Sequence, residues 1–269
     1  MKIGIVSLGL IGGSLFKCLC NSSNEIYAVT RNKETIEKAK KYSINVSDDI
    51  NTVKGCDVVF VASPISKTVE TLDELEKILS KDTIVLDCAS VKEFVMNKKY
   101  AFKFIGSHPM AGTEFNGFDA SFETLFEGAK WVLTPCDDTE EKDINIVREI
   151  LEFTGAKTII ASAKEHDEAV ALISHMPMLV SQSIFNVAKD NELAMKLAAS
   201  GFRDMTRLSM SNPQMASDML FYNGRNIDKS IEMLKNSIKF LKSTKYMEKC
   251  VDIKNTRSKM YSVEGKNTL

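Results

Sequence analysis

The strongest constraint on the fold comes from two short apolar runs in the first third of the sequence, Asp57–Ala62 (DVVFVA) and Thr83–Asp87 (TIVLD). Runs of this kind are typical of strands that are buried on both faces, as in a parallel sheet covered by helices. They belong to a longer alternation of strand-like and helical segments, which indicates a doubly wound α/β domain. The other predicted strands are Lys2–Ser7, Ile26–Thr30, Phe102–Ile105, Trp131–Thr134 and Lys157–Ile160, and the predicted helices are Leu10–Cys20, Lys33–Lys41 and Glu140–Phe153.

The character of the sequence changes after Ser162. From Ala163 onward there is no convincing strand, and Ala, Met, Leu and Lys recur with helical periodicity. The segments predicted to be helical are about 163–189, 191–199, 213–222 and 226–245, and 242–266 is predicted to be a solvated, partly frayed tail. We therefore expect a Rossmann-type doubly wound parallel sheet over residues 1–162 and an all-helical domain over 163–269.

Composition excludes several classes of protein. With 35 basic and 36 acidic residues the net charge is −1, so the chain has no overall field to attract nucleic acid or anionic lipid. No apolar run approaches the roughly 18 residues of a membrane span, and the first residues are too soon interrupted by Gly4 for a secretory signal. The six cysteines form no CxxC pair and have no histidines at zinc spacing, which predicts reduced core or surface thiols and no metal, with a redox or metal role as the alternative. We expect a cytoplasmic protein with a small-molecule substrate.

A glycine-containing turn, Ser7–Ser14 (SLGLIGGS), separates the first predicted strand from the first predicted helix. Such a turn presents backbone N–H groups and the positive end of a helix dipole to a dinucleotide pyrophosphate, although a purely structural turn is the alternative. The pattern is GxGxxG with Ser7 at the first glycine, and a serine fits there only if its φ is negative, so we expect a weakened motif. The predicted cofactor-binding residues are Ser7, Leu8, Gly9, Leu10, Ile11, Gly12, Thr30, Arg31, Lys33, Ser63 and Pro64.

The end of the second predicted strand bears on the choice of cofactor. An NAD-selective site usually places Asp or Glu there, whereas an arginine accommodates the 2′-phosphate of NADP. This sequence has no carboxylate at that position and offers Thr30, Arg31 and Lys33. It therefore predicts a preference for NADP, with NAD as the alternative if these residues form only a solvated basic loop.

The sequence contains three histidines. His108 follows a predicted strand in GSHPMAGTE, and strand ends of a parallel sheet face the ligand crevice. A neutral imidazole there can take the proton of an alcohol whose hydride leaves to a nicotinamide, although a histidine that only caps loop backbone is the alternative. His175 lies in an apolar helix and is either a core histidine or a substrate contact. His166 is flanked by charged residues and is predicted to be polar surface or the start of a helix.

A third polar feature is the segment SGFRDMTR, residues 200–207. Arg203 and Arg207 are four residues apart and therefore share a helix face, with Asp204 beside them. On these residues alone the segment is either a clamp for an anionic group or an exposed cluster of ion pairs.

The motifs of this chain occur in one order over nearly its whole length: GLIGGS, DCASVK, SHPMAGTE, HDxxxAxxSHxP and SGFRDxTR. Taken together, they resemble the prephenate/arogenate dehydrogenase family of tyrosine biosynthesis. The resemblance implies oxidative decarboxylation of a cyclohexadienol with a nicotinamide cofactor. Prephenate would give 4-hydroxyphenylpyruvate, and arogenate would give tyrosine directly. It also implies a homodimer formed through the helical domain.

The resemblance further implies roles for single residues. His108 matches the catalytic histidine, and Ser90 in DCASVK matches the serine that bonds the substrate hydroxyl and that histidine. Arg207 matches the arginine that grips a substrate carboxylate. The predicted substrate-binding residues are Arg207, Arg203, Asp204, Glu114, His175 and Thr113, of which Glu114, Arg203 and Asp204 match a polar gate at the domain cleft. Met178 stands where many prephenate-using members have a second histidine, so the choice between prephenate and arogenate stays open.

Two other functions are compatible with parts of the sequence. The chain could be another two-domain dehydrogenase, such as an imine or hydroxyacid reductase, but SHPMAGTE disfavours this. It could also be a non-catalytic nucleotide-sensing protein, which would need neither His108 nor Arg207.

Overall fold

The computed structural model describes residues 1–264, and only the backbone of 262–264. Its first part is one sheet of eight strands in the order β3-β2-β1-β4-β5-β6-β7-β8. The strands are β1 (Lys2–Val6), β2 (Glu25–Val29), β3 (Val46–Ser47), β4 (Val58–Val61), β5 (Ile84–Asp87), β6 (Lys103–Pro109), β7 (Lys130–Pro135) and β8 (Lys157–Ile160). Strands β1 to β6 are parallel and wind outward in both directions from β1 and β4. The predicted Rossmann-type fold is confirmed for this part of the sheet.

The two apolar runs form the centre of the sheet. Every residue of β4 and β5 is buried, because helices cover both faces of the sheet. One apolar cluster contains Phe16 of the first helix and Trp131, and the other contains Leu72 and Leu75 of the third helix. These two layers of side chains fix the carboxyl ends of the parallel strands at one edge of the sheet.

The last two strands run against the others, which the sequence-based prediction of a parallel sheet missed. Strand β7 pairs antiparallel with β6, and β8 pairs parallel with β7. An antiparallel pair needs no crossover helix, and the described connection 110–129 between β6 and β7 contains none. The alternation of apolar residues within a strand carries no information about its direction, so this reversal could not be predicted from pattern.

Four helices accompany the sheet: α1 (Leu10–Leu19), α2 (Lys33–Ala39), α3 (Ile65–Glu76) and α4 (Glu141–Phe153). Helix α3 and the two-residue strand β3 are absent from the sequence-based prediction. Helix α3 buries Ile65, Thr68, Leu72 and Leu75, a spacing of three and four residues that is itself helical. The signal for α3 was therefore present in the sequence, between the two strongest strands.

The chain is helical from Ala163 to the last described residue. A capping box formed by Ser162 and Glu165 starts α5, and a π-helical turn, Ala171–His175, joins α5 to α6 without a break. The helices are α5 (Ala163–Val170), α6 (Met176–Ala188), α7 (Glu192–Leu197), α8 (Ser200–Thr206), α9 (Pro213–Tyr222), α10 (Gly224–Leu241) and α11 (Tyr246–Glu264). The predicted frayed tail is wrong for 246–264, which form α11; residues 265–269 lie outside the described residues.

The continuous helix Ala163–Ala188 is long and apolar enough, by length and composition, to cross a membrane. The helix contains polar and charged residues throughout, so the prediction that no uninterrupted apolar run approaches that length is unchanged. Only 28% of its most apolar window is buried within the chain. Most of this window is therefore not covered by the described residues.

Candidate active site

The turn between β1 and α1 has the properties of an anion-binding site. Helix α1 starts after Gly9 with no side-chain cap and no acidic residue in its first turn, so its first N–H groups are not bonded by a capping side chain. A Cβ at Gly9 would meet nothing within 4 Å, whereas one at Gly12 would lie 2.0 Å from the Ser7 carbonyl oxygen. Gly12 is thus required for the helix to pack on the strand, and the space beside Gly9 can receive a phosphate.

Ser7 adopts the conformation that glycine normally provides in this turn. Its φ is 76°, so the expectation of a negative φ is wrong. The Ser7 N–H donates to the Val29 carbonyl, with an N···O distance of 2.8 Å, which continues the pairing of β1 with β2. This bond holds the residue in the left-handed region at a cost of about 1–2 kcal/mol. The turn therefore keeps the shape of the motif although its first glycine is missing.

A cavity of about 650 Å³ lies at the carboxyl ends of β1 and β2. The predicted cofactor residues that line it are Ser7, Thr30, Arg31, Ser63 and Pro64. The others lie beside it in the chain: Leu8, Gly9, Leu10, Ile11 and Gly12 form the adjacent turn and the start of α1, and Lys33 begins α2. The position and chemistry of turn and cavity suit a dinucleotide, with the pyrophosphate at the turn.

The same cavity also contains carboxylates that the sequence-based prediction of the cofactor did not include: Asp48, Asp49, Glu70 and Glu74. The Arg31 guanidinium lies 3.8 Å from a Glu74 oxygen, and the Lys67 ammonium lies 2.8 Å from a Glu70 oxygen. Both pairs are exposed, so each contributes little to stability. They nevertheless surround Arg31 with negative charge, which could not be foreseen because Glu70 and Glu74 come from α3.

His108 lies near the end of β6, next to the centre of the sheet. Its Nδ1 lies 2.9 Å from Nε2 of His166. Although part of its surface is accessible, the surrounding protein lowers its pKa well below the usual value for histidine, chiefly by burial. The charges of His166, Lys92 and His175 act in the same direction. The ring is therefore neutral near pH 7 and able to accept a proton.

Behind His108 lies a chain of polar groups that the sequence-based prediction missed. His166 lies near the start of α5, as one of its two predictions has it, but it is 3% exposed, so the alternative of a polar surface position is wrong. Its Nδ1 lies 2.7 Å from Oδ1 of Asp167, which also accepts the Lys92 backbone N–H at 2.7 Å, while Oδ2 accepts that of Glu93 at 2.9 Å. The signal was the His-Asp pair in HDxxxAxxSHxP, whose charged neighbours suggested exposure.

A buried ion pair holds the strand end that carries His108. Lys92 and Asp87 are completely buried and paired with each other. The Lys92 ammonium also donates to the Ser107 carbonyl at 2.6 Å, and the Ser107 N–H donates to Asp87 Oδ1 at 2.9 Å. Breaking such a pair leaves an uncompensated buried charge, so both residues are needed for the local geometry. Sequence reasoning did not single out either residue.

Ser90 lies in the loop between β5 and β6. Its Oγ is buried and has no hydrogen-bond partner among the described residues. A hydroxyl in that state can donate to or accept from a ligand without losing a protein contact. The structure gives it no direct bond to His108. Thr113 and Glu114, by contrast, lie in the exposed part of the connection after β6.

His175 belongs to the π-helical turn and is completely buried. The Asn223 side-chain N–H groups lie 3.1 Å from His175 Nδ1 and 2.9 Å from the Asp167 carbonyl oxygen. Because Asn223 donates, Nδ1 accepts and the proton of the neutral ring is on Nε2, which has no partner among the described residues. Burial lowers the pKa of His175 to about 4. Met178, one turn later, is buried in the apolar core.

The arginine segment lies elsewhere in the helical part. Arg203, Asp204 and Arg207 line a cavity of about 1020 Å³ between α6 and α8. Arg203 and Asp204 are largely exposed, and their nearest charged atoms are 3.8 Å apart. None of the described residues lining this cavity is His108, Ser90 or Glu114. The structure thus keeps the predicted arginine clamp together but does not place it in the same cavity as the histidine.

Comparison with protein families gives two adjacent matches. The nucleotide-binding domain of prephenate dehydrogenase matches residues 17–160, and the dimerization domain of prephenate dehydrogenase matches residues 162–253. The chain is 32% identical to the prephenate dehydrogenase of Bacillus subtilis over 81% of its own length and 63% of that protein. It is 32% identical to the Lactococcus lactis prephenate dehydrogenase, over 88% and 69%. The chain thus spans less than two thirds of the first relative.

Solved structures give the same relationship over the whole chain. Arogenate dehydrogenase of Synechocystis is 33% identical, with a TM-score of 0.81 and 99% of each chain covered. Prephenate dehydrogenase of A. aeolicus, in complex with hydroxyphenyl propionate and NAD+, is 30% identical, with a TM-score of 0.86 and 97% of this chain and 98% of that chain covered.

Proposed function

This chain belongs to the prephenate/arogenate dehydrogenase family, and on that premise we propose that it catalyses the NAD(P)-dependent oxidative decarboxylation of prephenate to 4-hydroxyphenylpyruvate. The observation that supports this most is the His108 ring, whose burial keeps it neutral at the end of β6. The carboxyl ends of parallel strands are where an α/β sheet binds its ligand.

His108 is the general base of the proposed reaction. Its free ring nitrogen takes the proton of the hydroxyl on ring carbon 4 of the substrate. A bound nicotinamide supplies the acceptor for the hydride that leaves the same carbon. The bond to the ring carboxylate then breaks, its electrons enter the ring, and carbon dioxide departs as the ring becomes aromatic. The protein mainly has to position the base and the substrate.

Three other side chains are proposed to orient the substrate. Ser90 Oγ and His175 Nε2 are buried polar atoms without partners among the described residues, and each can bond a substrate oxygen. Arg207, although it lines a different cavity from His108 in the described chain, is proposed to bind a substrate carboxylate, because a guanidinium pairs with carboxylate through two parallel hydrogen bonds. Glu114, Thr113, Arg203 and Asp204 are proposed to complete the polar entrance.

Arogenate is the alternative substrate. The thioether of Met178 is buried in the apolar core and supplies no strong hydrogen bond to a keto side chain. The test is to offer prephenate and arogenate, each with NAD and NADP, and to follow the absorbance of the reduced cofactor. Turnover of prephenate at the higher kcat/KM supports the proposal, and a higher value for arogenate replaces it with the alternative.

The same assay tests the base. His108→Asn is expected to lower kcat by roughly 10²–10⁴-fold, the usual contribution of a general base, while the affinity for the cofactor stays the same. An unchanged kcat would mean that His108 is not the base, and no turnover of either substrate by the wild type would favour a non-catalytic nucleotide-sensing protein instead.

For the cofactor, we propose a preference for NADP. Thr30, Arg31 and Lys33 follow β2 with no carboxylate among them, and an arginine pairs well with a 2′-phosphate. Arg31→Ala is expected to lower the ratio of kcat/KM for NADP to that for NAD, and Glu74→Gln to raise it by releasing Arg31. A wild-type ratio below one overturns this preference.

Two copies of the chain are proposed to pair through the helical domain, which we place at 163–269 after a nucleotide-binding domain of 1–162. The exposed apolar surface of Ala163–Ala188 and the match of 162–253 to a dimerization domain support this pairing. A second copy, rather than a membrane, then covers that surface, in keeping with a protein of the cytoplasm.

A further inference from the structure

We propose that His166 is a positioning residue that holds the proton of His108 on Nδ1 and so leaves His108 Nε2 as the base. The proposal rests on the proposed function for its kinetic consequence, but not for its structural one. It is carried by two contacts in series, a part-buried one of 2.9 Å from His108 to His166 and a buried one of 2.7 Å from His166 to Asp167.

The donors and acceptors in these two hydrogen bonds follow from the last residue of the series, Asp167. Asp167 is 1% exposed and its carboxylate already accepts two backbone N–H groups, from Lys92 and Glu93. A carboxylate in that setting can only accept, so the His166 nitrogen facing it, Nδ1, must carry a hydrogen. An unprotonated Nδ1 would place two lone pairs against each other at 2.7 Å.

The second contact follows from the first. A neutral His166 with its hydrogen on Nδ1 has only a lone pair on Nε2. That lone pair accepts a hydrogen bond, so His108 must donate from Nδ1. His108 Nε2 is then the unprotonated nitrogen, and it is the atom that can take the substrate proton.

A purely structural explanation accounts poorly for the His166 ring. The bonds that attach α5 to the loop after β5 are made by Asp167, through the backbone of Lys92 and Glu93. The hydrogen bonds described for the His166 ring are those to His108 and Asp167. An apolar ring of similar size would fill the same space without orienting His108.

The hydrogen bonds between His108, His166 and Asp167 also stabilise the proton taken from the substrate. When His108 takes the substrate proton on Nε2, its Nδ1 proton can pass to His166 Nε2, which places the positive charge beside the Asp167 carboxylate. The other charged or titratable groups near the two rings are His175 and Lys92, and Lys92 is already paired with Asp87. Asp167 is therefore the carboxylate that receives this charge.

Acid is expected to reverse the orientation. A His166 protonated on both nitrogens donates from Nε2 to His108 Nδ1, which moves the His108 hydrogen to Nε2 and blocks the base. Loss of activity in acid would then report protonation of the coupled His108–His166 pair rather than of His108 alone.

The structural part can be tested without any substrate. The protein has three histidines, so a spectrum of the protein with 15N-labelled histidine contains three rings, and His175→Gln assigns one of them. The expected result at neutral pH is a hydrogen on Nδ1 of both His108 and His166. In His166→Phe, His108 should lose its fixed Nδ1 hydrogen. A wild-type His108 with its hydrogen on Nε2, or an unchanged His108 in the variant, overturns the proposal even if the enzyme is active.

The kinetic part compares two substitutions at one position. Gln at 166 can still accept from His108 Nδ1 through its amide oxygen, whereas Phe cannot. We expect kcat to fall about tenfold in His166→Gln and about a hundredfold in His166→Phe, the range found when a residue that orients a functional histidine is removed. In His166→Phe the acidic limb of kcat/KM should move to lower pH, because the protonation that blocks the base now requires charge on the buried His108 alone.

Ser162→Ala is the matched structural control. It removes the capping box of the same helix without touching either ring. It should lower the melting temperature and leave the pH profile in place. If it shifts the acidic limb as His166→Phe does, or if His166→Phe and His166→Gln lose equal activity with no shift, His166 is only structural and the proposal fails.

Discussion

The sheet domain buries most of its large apolar side chains, whereas the helical region exposes many of them. Both apolar clusters consist almost entirely of residues from the first 156 positions, and Met178, Ala216 and Met219 are the members from the helical region. The helical region exposes large apolar side chains along most of its helices: Ile173, Val187, Leu193, Leu197, Met205, Met210, Phe221, Met233, Phe240, Met247, Val251, Ile253 and Met260.

The residues that the helical region does bury are often polar. His166, Asp167, His175 and Asn223 are all buried and bonded to one another or to the sheet domain. The sheet domain is therefore stabilised by an apolar core of its own. The helical region packs on the sheet domain through buried polar groups, and its exposed apolar side chains are available to a further apolar surface. Of the groups of the proposed reaction, His108 contacts His166 where the two parts meet, whereas Arg207 lines the cavity between α6 and α8.

The largest effect should come from placing a charge on the apolar surface of the helical region. Val187 is 84% exposed in α6, and Ile44, in the sheet domain, is 86% exposed. Val187→Glu is expected to abolish the dimer at micromolar concentration, since burying an unpaired charge is very costly. Ile44→Glu should leave the dimer intact. Light scattering after gel filtration measures both masses, and the contrast between the regions fails if the two variants behave alike.

The second largest effect should be the loss of folding stability caused by a cavity in the sheet. Leu86 is completely buried in β5, and Leu86→Ala is expected to lower the free energy of unfolding by about 3 kcal/mol. This loss should not depend on protein concentration. Leu197→Ala, on an exposed apolar position, should have an effect that grows with dilution if the proposed dimer covers this side chain. Urea titrations at two protein concentrations separate these behaviours.

Acid should weaken the junction between the two parts. The folded protein keeps His175 neutral, with a pKa of about 4, whereas an unfolded histidine takes a proton near pH 6.5. Between these values the unfolded state binds more protons, so the free energy of unfolding falls as pH falls, by about 2 kcal/mol between pH 7.5 and pH 5. His175→Gln should reduce this dependence in urea titrations at the two pH values. An undiminished slope would assign the effect to other groups, His108 first.

The smallest expected change in the free energy of unfolding comes from relieving backbone strain at two residues, one in each region. Ser7 and Lys245 have φ values of 76° and 65°. Ser7→Gly and Lys245→Gly should each raise the free energy of unfolding by about 0.5 kcal/mol, the relief of the left-handed conformation less the entropy of glycine. Only Ser7→Gly should alter cofactor affinity. A loss of stability in Ser7→Gly would mean that its surroundings, not its φ, set the balance.

The sequence predicted the parts of the fold that depend on local pattern. Strands β4 and β5, with apolar residues at nearly every position, and the change of character at Ser162 could be located to within a residue or two. The reversed direction of β7 could not, because direction is decided by the connection and not by the strand. Ser7 was assigned the wrong φ because the bond from its N–H to Val29 is not visible in the sequence.

The same limit applies to the site. His108, Ser90 and the turn at Gly9 were singled out because motifs carry them, and their roles stay predictions. His166 was placed on the surface because its sequence neighbours are charged, and only the packing of α5 against the loop after β5 shows that it is buried. Likewise, Glu74 approaches Arg31 across more than forty residues of chain, so no local pattern could pair them.

The π-helical turn Ala171–His175 has a consequence for how this protein tolerates change in length. Such a turn accommodates one residue more than the α-helix around it, and one residue corresponds to a rotation of about 100° and a rise of about 1.5 Å. Removing a single residue there would therefore restore a regular helix with the segments before and after the turn kept near their present neighbours, whereas the same deletion in α5 or α6 would rotate everything beyond it. His166 before the turn and Met178 after it would both keep their places, so the turn is the point of this long helix that tolerates the loss of one residue.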